Sequence, residues 1–282
     1  MSPAIKSSKP FSLAVAQMPI TGDARQNGAT IRALMHEAAT QGARLIQFPE
    51  GALSGYAKNP IKSWDEVNWA YVRSELEGIM ALAKRLGIWV VLGSAHPLTP
   101  PHWPHNSLYI ISDKGRLVTR YDKRICSNTE ATAFYTPGTE AIIFDVDGYI
   151  FGCLICIEIN FPTLFTAYQN LGIDCLLLSS YPVNEVFYTK TCAHAGIHNF
   201  WISLSVPTEC VHLMRSGLIG PDGICSAEVE ADQGIVLAPL DGSLSAYEEA
   251  LKFARPWRAR ALEDFNNRQP LLDPRSANRS LL

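Results

Sequence analysis

The amino-acid sequence predicts an α/β protein built as a four-layer α-β-β-α sandwich, two sheets packed face to face with helices outside. Three observations lead there. Short apolar runs of strand character alternate with segments of helical periodicity, the order strand, helix, strand, helix, strand, hairpin occurs twice, and neither half can bury its apolar faces alone. A single doubly wound sheet is the competing arrangement, but it would have to carry both hairpins at its edges.

The first half opens with a strand over 11–17. Asn27, Ile31, Leu34, Met35, Ala38 and Ala39 then recur at helical spacing, and Gly42 stops that helix. Residues 44–48 are a second strand. Leu76, Ile79, Met80, Ala83 and Leu86 mark a second helix ending at Gly87, residues 88–93 a third strand, and 106–112 with 116–122 a hairpin joined through Asp113-Lys114-Gly115. The second half begins with a strand over 142–146, a turn at Asp147-Gly148 and a strand over 149–155. A helix over 162–171 starts at Pro162 and is closed by Gly172; a strand over 175–179, a helix over 185–199 and a strand over 201–206 follow. A hairpin through Pro221-Asp222-Gly223 matches that of the first half.

This organisation implies a flexible N-terminus over 1–10, one domain over 11–255 and a C-terminal arm over 256–282. The arm holds Arg258, Arg260, Arg268, Arg275 and Arg279 with little apolar periodicity, so it is expected to be extended and to reach across a subunit interface. The 282 residues are 47% apolar, enough for a sizeable core. With Lys+Arg 24 against Asp+Glu 27 and a net charge of -3, nothing electrostatic favours nucleic acid or an anionic membrane, and a small-molecule substrate is the expected partner. The apolar stretch after Lys6 and Lys9 is short and broken by Gln17 and Pro19, which reads as neither signal peptide nor membrane span. Seven cysteines, an odd number set mostly in apolar contexts, read as reduced thiols in a cytoplasm.

Cys156 is the residue that points to chemistry. It follows the apolar run 149–155 where the chain turns toward a helix, and a thiol there opens into a cleft beside backbone N–H groups. A cysteine nucleophile needs a base to take its proton and a positive charge to stabilise thiolate and oxyanion. Glu50 ends the strand over 44–48 in Phe48-Pro49-Glu50-Gly51, and Lys123 ends the hairpin in Tyr121-Asp122-Lys123-Arg124. An ammonium beside the thiol is expected to lower its pKa. Histidine is the rival base, but none of the histidines sits where the sequence directs it at Cys156. His194 and His198 share a helix face without the glutamate of a zinc-protease helix, and Cys153-x-x-Cys156 lies largely in a strand with no second pair, so no metal is expected.

The motifs Ala14-Val15-Ala16-Gln17, Phe48-Pro49-Glu50 with Ser54-Gly55-Tyr56, His105-Asn106-Ser107, Tyr121-Asp122-Lys123, Thr136-Pro137-Gly138, 152–158, Asn160-Phe161-Pro162 and 219–223 occur in this order. In that order they resemble the nitrilase superfamily of carbon–nitrogen hydrolases, over about residues 11–240. The resemblance implies the same α-β-β-α sandwich, paired into homodimers or larger oligomers, with no cofactor. It implies Glu50 as base, Lys123 as electrostatic stabiliser, Cys156 as nucleophile and Glu130 as a second glutamate that positions the lysine and substrate. Beside the resemblance, the expected reaction makes the backbone N–H of Ile157 the second oxyanion donor. Tyr56 and Tyr181 are, with Phe134 and Trp201, the aromatics expected to line the pocket, and Asn160 is expected at its edge. Ile157 and Glu158 stand where relatives often carry an aromatic and an Asp, and Asn160 where they often carry an Arg. The expected reaction is hydrolysis of a small amide or N-carbamoyl compound through an acyl-thioester; nitrile hydrolysis, acyl transfer and a non-catalytic binding role are the alternatives.

Overall fold

A computed structural model describes residues 10–273 and Ser276; the expected flexible N-terminus falls almost wholly outside the described residues, as do Arg275 and Arg279 of the arm. The chain forms two six-stranded sheets. The first is ordered β12-β1-β2-β3-β4-β5, from β1 (Phe11–Gln17), β2 (Leu45–Gln47), β3 (Trp89–His96), β4 (His105–Ile111), β5 (Leu117–Asp122) and, from far along the chain, β12 (Gly234–Leu240). The second is ordered β11-β10-β9-β8-β7-β6, from β6 (Ile143–Val146), β7 (Tyr149–Ile155), β8 (Cys175–Ser179), β9 (Trp201–Ser205), β10 (Gly217–Ile219) and β11 (Cys225–Glu228). In each sheet three parallel strands, β1-β2-β3 or β7-β8-β9, carry antiparallel neighbours on both sides.

Alternation along the strands makes the layers. Leu13, Val15, Leu45, Val91 and Leu108 join the core shared with Phe144, Phe151 and the second sheet, while Ala14, Ala16, Ile46, Val90 and Leu92 pack in a separate core with the helices α1 (Ala24–Thr40) and α2 (Trp69–Leu86). Over the second sheet lie α4 (Pro162–Asn170) and α5 (Val186–His198). The contact between sheets is partly polar: Ser179 Oγ donates to Phe48 O at 2.8 Å, Ser205 Oγ to Ala16 O at 2.7 Å, and Gln47 Nε2 to Ser179 Oγ at 3.1 Å. These bonds fix the relative slide of the sheets near the carboxyl ends of their parallel strands, where the chemistry-bearing residues emerge.

Three features depart from the sequence-based expectation. The strand β12 completes the first sheet, pairing with β1 from Phe11↔Leu240 to Gln17↔Gly234, and was not expected. A short helix α3 (Asn128–Ala133) follows β5, closed by a capping box in which the Ser127 hydroxyl and the Glu130 carboxylate satisfy each other's backbone N–H. The arm expected to be extended is helical over α6 (Arg255–Asn266), where Arg, Ala, Leu and Glu are strong helix formers. Arg255 and Arg258 tether α6 by bonds to Ile173 O and to Gly196 O and Asn199 Oδ1.

Candidate active site

Glu50 lies in the turn after β2. Pro49 has no N–H to extend the ladder, and Gly51 takes a φ of +69°, open to glycine without steric cost. The turn presses on β3 so closely that a Cβ at Gly93 would stand 2.0 Å from Pro49 O. The Glu50 carboxylate is thereby driven inward and is fully buried. Its Oε1 accepts from Lys123 Nζ at 2.9 Å and Asn106 Nδ2 at 2.7 Å, and its Oε2 from the backbone N–H of Tyr181 at 2.8 Å.

Lys123 is the first residue after β5, its backbone held by Asn106 O and by Gly138 N. Its ammonium bridges two carboxylates, Glu50 and Glu130, the latter at 2.8 Å. Glu130 is delivered by α3: the capping box ties its Oε2 to Ser127 N at 2.7 Å, leaving Oε1 for Lys123 and, at 3.5 Å, for Tyr56 OH. The Tyr56 ring stacks on Tyr181 at a centroid distance of 4.5 Å, and Asn59 Nδ2 donates to the Tyr181 hydroxyl.

Cys156 follows β7 and opens a one-turn 3₁₀ helix, Cys156–Asn160. Its φ of +49° is the left-handed conformation that few non-glycine residues adopt, and such outliers cluster at functional sites. The thiol points at Tyr181 O, with a sulfur-to-oxygen distance of 3.6 Å. Tyr181 thus touches both expected partners through its backbone, giving its N–H to Glu50 and its carbonyl to Cys156. As the second residue of that turn, Ile157 has a backbone N–H with no intrahelical acceptor.

The electrostatics follow from burial. Burial pushes the Glu50 carboxyl above its ordinary range, and Glu130 adds to the rise against the opposing pull of Lys123. At Glu130 burial acts upward too, but Lys123, the Ser127 N–H and Lys58 together hold the carboxyl below its usual value. Lys123 is desolvated, yet Glu50, Cys156 and Glu130 keep it firmly protonated. Burial and the two carboxylates carry the Cys156 thiol well above its ordinary pKa, and Lys123 offsets only part of this. The lowered thiol pKa expected from a neighbouring ammonium is therefore overturned. Burial thus favours the protonated thiol, and use of this sulfur as a nucleophile would require a base.

Of the remaining expected residues, Ile157 and Tyr181 flank the thiol in the chain and through the Tyr181 carbonyl, and Tyr56 lies against Tyr181 and Glu130. Asn160 is not brought into this network: it is exposed, donates to Ile157 O at 3.1 Å and accepts from Lys190. Asn106 belongs to the site but was not singled out as a site residue; a buried Asn inside the His105-Asn106-Ser107 motif at the start of β4 was its signal. His194 and His198 stack with Phe165 and Phe200 under α5, with a His194–Phe165 centroid distance of 3.7 Å. Among the described residues no group of three or more His, Cys, Asp or Glu is arranged to hold a metal ion.

A sandwich of two mixed sheets, with a thiol, two carboxylates and a lysine gathered at the strand ends, defines a nitrilase-type hydrolase scaffold. Residues 12–249 match the family described as Carbon-nitrogen hydrolase, and the chain belongs to that family, within the nitrilase superfamily. Similar proteins include the Homo sapiens protein named Deaminated glutathione amidase, 24% identical over 92% of this chain and 82% of its own length. The 2-oxoglutaramate amidase of Bacillus subtilis (strain 168) is 25% identical over 74% of this chain and 83% of its own length. The match to Nitrilase homolog 2 of Dictyostelium discoideum, 27% identical over 60% of this chain, spans only 53% of that protein. Among solved structures, the C. elegans NitFhit protein superimposes with a TM-score of 0.78 at 20% identity, over 93% of this chain and 66% of that one. An amidase from Nesterenkonia sp. gives a TM-score of 0.73 at 18% identity, over 91% of this chain and 100% of that one. At these identities the superpositions establish the fold.

Proposed function

We propose that this protein hydrolyses the carbon–nitrogen bond of a small amide through a thioester on Cys156. The observation that carries the reading is the double contact of Tyr181, whose N–H orients Glu50 and whose carbonyl orients the Cys156 thiol. Glu50, its pKa raised by burial, takes the thiol proton as Sγ bonds to the amide carbon and the carbonyl electrons move onto oxygen. Lys123 and the Ile157 N–H stabilise that oxyanion. Collapse breaks the carbon–nitrogen bond, Glu50 returns the proton to the departing nitrogen, and ammonia or an amine leaves. Water then attacks the thioester carbon, giving its proton to Glu50 and thence to sulfur, and the carboxylic acid is released. Glu130 keeps Lys123 charged and aimed, while Tyr56 and Tyr181 wall the pocket.

Amides are favoured over nitriles because two of the relatives above are named amidases. The cytoplasmic setting and homodimer implied by the sequence belong to the same proposal, with sedimentation velocity as the check on assembly. Among the described residues no helix is long and apolar enough to cross a membrane. The test is ammonia release over a panel of primary amides, N-carbamoyl compounds and nitriles, with wild type beside Cys156→Ala. Turnover of amides that vanishes in Cys156→Ala supports the reading. Silence across the panel with Cys156 still open to iodoacetamide would replace it with acyl transfer or binding.

A further inference from the structure

Glu158 lies two residues beyond Cys156, is fully buried, and has no part in the proposed reaction. Its carboxylate nevertheless makes one of the densest hydrogen-bond sets in the molecule. Oε2 accepts from the backbone N–H of Ile155 at 2.8 Å, the residue before Cys156. Oε1 accepts from the N–H groups of Arg124 at 2.8 Å and Ile125 at 3.1 Å, the two residues after Lys123. The Tyr121 hydroxyl, two residues before Lys123, lies 2.8 and 2.9 Å from the two oxygens. Lys123 is therefore bracketed in sequence by groups that bond to this carboxylate, and Cys156 lies between Ile155, which donates to it, and Glu158 itself.

The arrangement matters because the two residues come from different sheets. Lys123 leaves β5 and Cys156 leaves β7, so their separation is set by whatever joins the two strand ends. Among the described residues Glu158 forms no ion pair within 4.0 Å. Its charge is met by those N–H groups, by Tyr121, and by Arg124, whose guanidinium lies 5.7 Å from the Tyr121 ring centroid and donates from Nε to Tyr121 OH at 3.2 Å. A buried carboxylate satisfied by directed donors has little freedom to shift, so it transmits the position of one loop to the other.

We propose that Glu158 is a positioning residue that fixes the distance between Lys123 and Cys156 by clamping the loop after β5 to the turn after β7. The inference rests on the amidase reading for its catalytic consequence, but the clamp is testable without turnover. Glu158→Asp keeps the charge and shortens the reach by one methylene.

The readout is the pH dependence of Cys156 alkylation by iodoacetamide, alone and in a Lys123→Ala background, with circular dichroism confirming the fold. Glu158→Asp is expected to slow alkylation at neutral pH about tenfold and to move its pH midpoint upward, since Lys123 no longer restrains the thiol pKa. In the Lys123→Ala background the same substitution is expected to change the rate less than twofold, the signature of action through the lysine. Equal losses in both backgrounds would overturn the proposal, as would Glu158→Asp reacting like wild type. Should Glu158→Asp fail to fold, Tyr121→Phe removes one arm of the clamp and is expected to show the same non-additivity with Lys123→Ala; additive losses there would equally overturn it. Absence of amide turnover in wild type would sink the amidase reading while leaving this cycle readable.

Discussion

The two sheets repeat one strand plan and diverge in what their strand ends carry. Position by position, β6 to β11 correspond to β12 and β1 to β5, with the same parallel and antiparallel pairings. Cys156 follows β7, whose counterpart is β1. At the end of β1 stands Gln17, also fully buried, which accepts from Ser216 N at 2.8 Å and donates to Ala231 O and Asp232 O. The matching strand thus leads into a strained thiol in one half and ends on a structural amide in the other. Glu50 and Lys123 come from the ends of β2 and β5, whereas the corresponding ends of β8 and β11 bring the Tyr181 backbone and no charged group to the cluster. A duplicated scaffold supplies equivalent openings, and the chemistry arises because the halves fill them differently.

The sharpest way to break this asymmetry is to neutralise the charged ends of the first half. Glu50→Gln removes the proposed proton acceptor and is expected to lower kcat by about 10²–10⁴-fold, the usual worth of a general base. Lys123→Ala is expected to cost about 10²–10³-fold, as for loss of one oxyanion donor. Steady-state ammonia release measures both, and a loss under about tenfold in either would take the corresponding residue out of the role given to it.

The pH profile sharpens the same comparison. In the proposed reaction Glu50 must be ionised, and burial raises its pKa above the ordinary 4.5, so the acidic limb of kcat/KM is expected above pH 4.5. The Asn106 hydrogen bond favours the ionised form. Asn106→Leu should therefore move that limb to higher pH; a limb that stays in place or moves down would mean that another group governs it.

At the end of the matching strand in the other half the effect should fall on stability. Gln17→Ala leaves the buried Ser216 N–H without its acceptor, a cost of about 1–3 kcal/mol. Urea unfolding should register that loss while turnover per folded molecule stays within about twofold. Cys156→Ala is expected to do the opposite, abolishing turnover with little change in the unfolding midpoint.

How much of this was legible depended on whether the signal was local. The strands Phe11–Gln17, Tyr149–Ile155 and Cys175–Ser179 occur as expected because each is a short apolar run bounded by turn residues. The strand β12 escaped because Gly234–Leu240 contains Pro239, is mostly half-exposed, and owes its pairing to β1 more than 200 residues earlier. The helix α3 is six residues of Asn, Thr, Glu and Ala, too short to show periodicity; its signal was the Ser127-x-x-Glu130 capping box. At the site, Glu50, Lys123 and Cys156 could be singled out by type and turn context, and Glu130 only through the family resemblance. The Tyr181 contribution could not, because it is made by main-chain groups that every residue but proline carries. Nor could the direction of the Cys156 pKa, which depends on burial that a neighbouring lysine does not reveal.

The smallest expected effect lies under the helices. The first half covers its sheet with α1 and α2, whose buried faces hold no histidine, while α5 buries His194 and His198. Burial, His194 and Arg258 push the His198 pKa down to about 4, and its Nδ1 pairs with Gln169 Oε1 at 2.8 Å. In the unfolded chain the group titrates near 6.5, so the unfolded state takes up the proton first as the pH falls. The stability this imidazole confers is complete above about pH 6.5 and is lost as the pH drops toward 4. His198→Gln removes the titration, so the fall in urea midpoint between about pH 7 and about pH 4.5 should be shallower than in wild type. Parallel curves for the two proteins would show that the second half's acid sensitivity resides elsewhere.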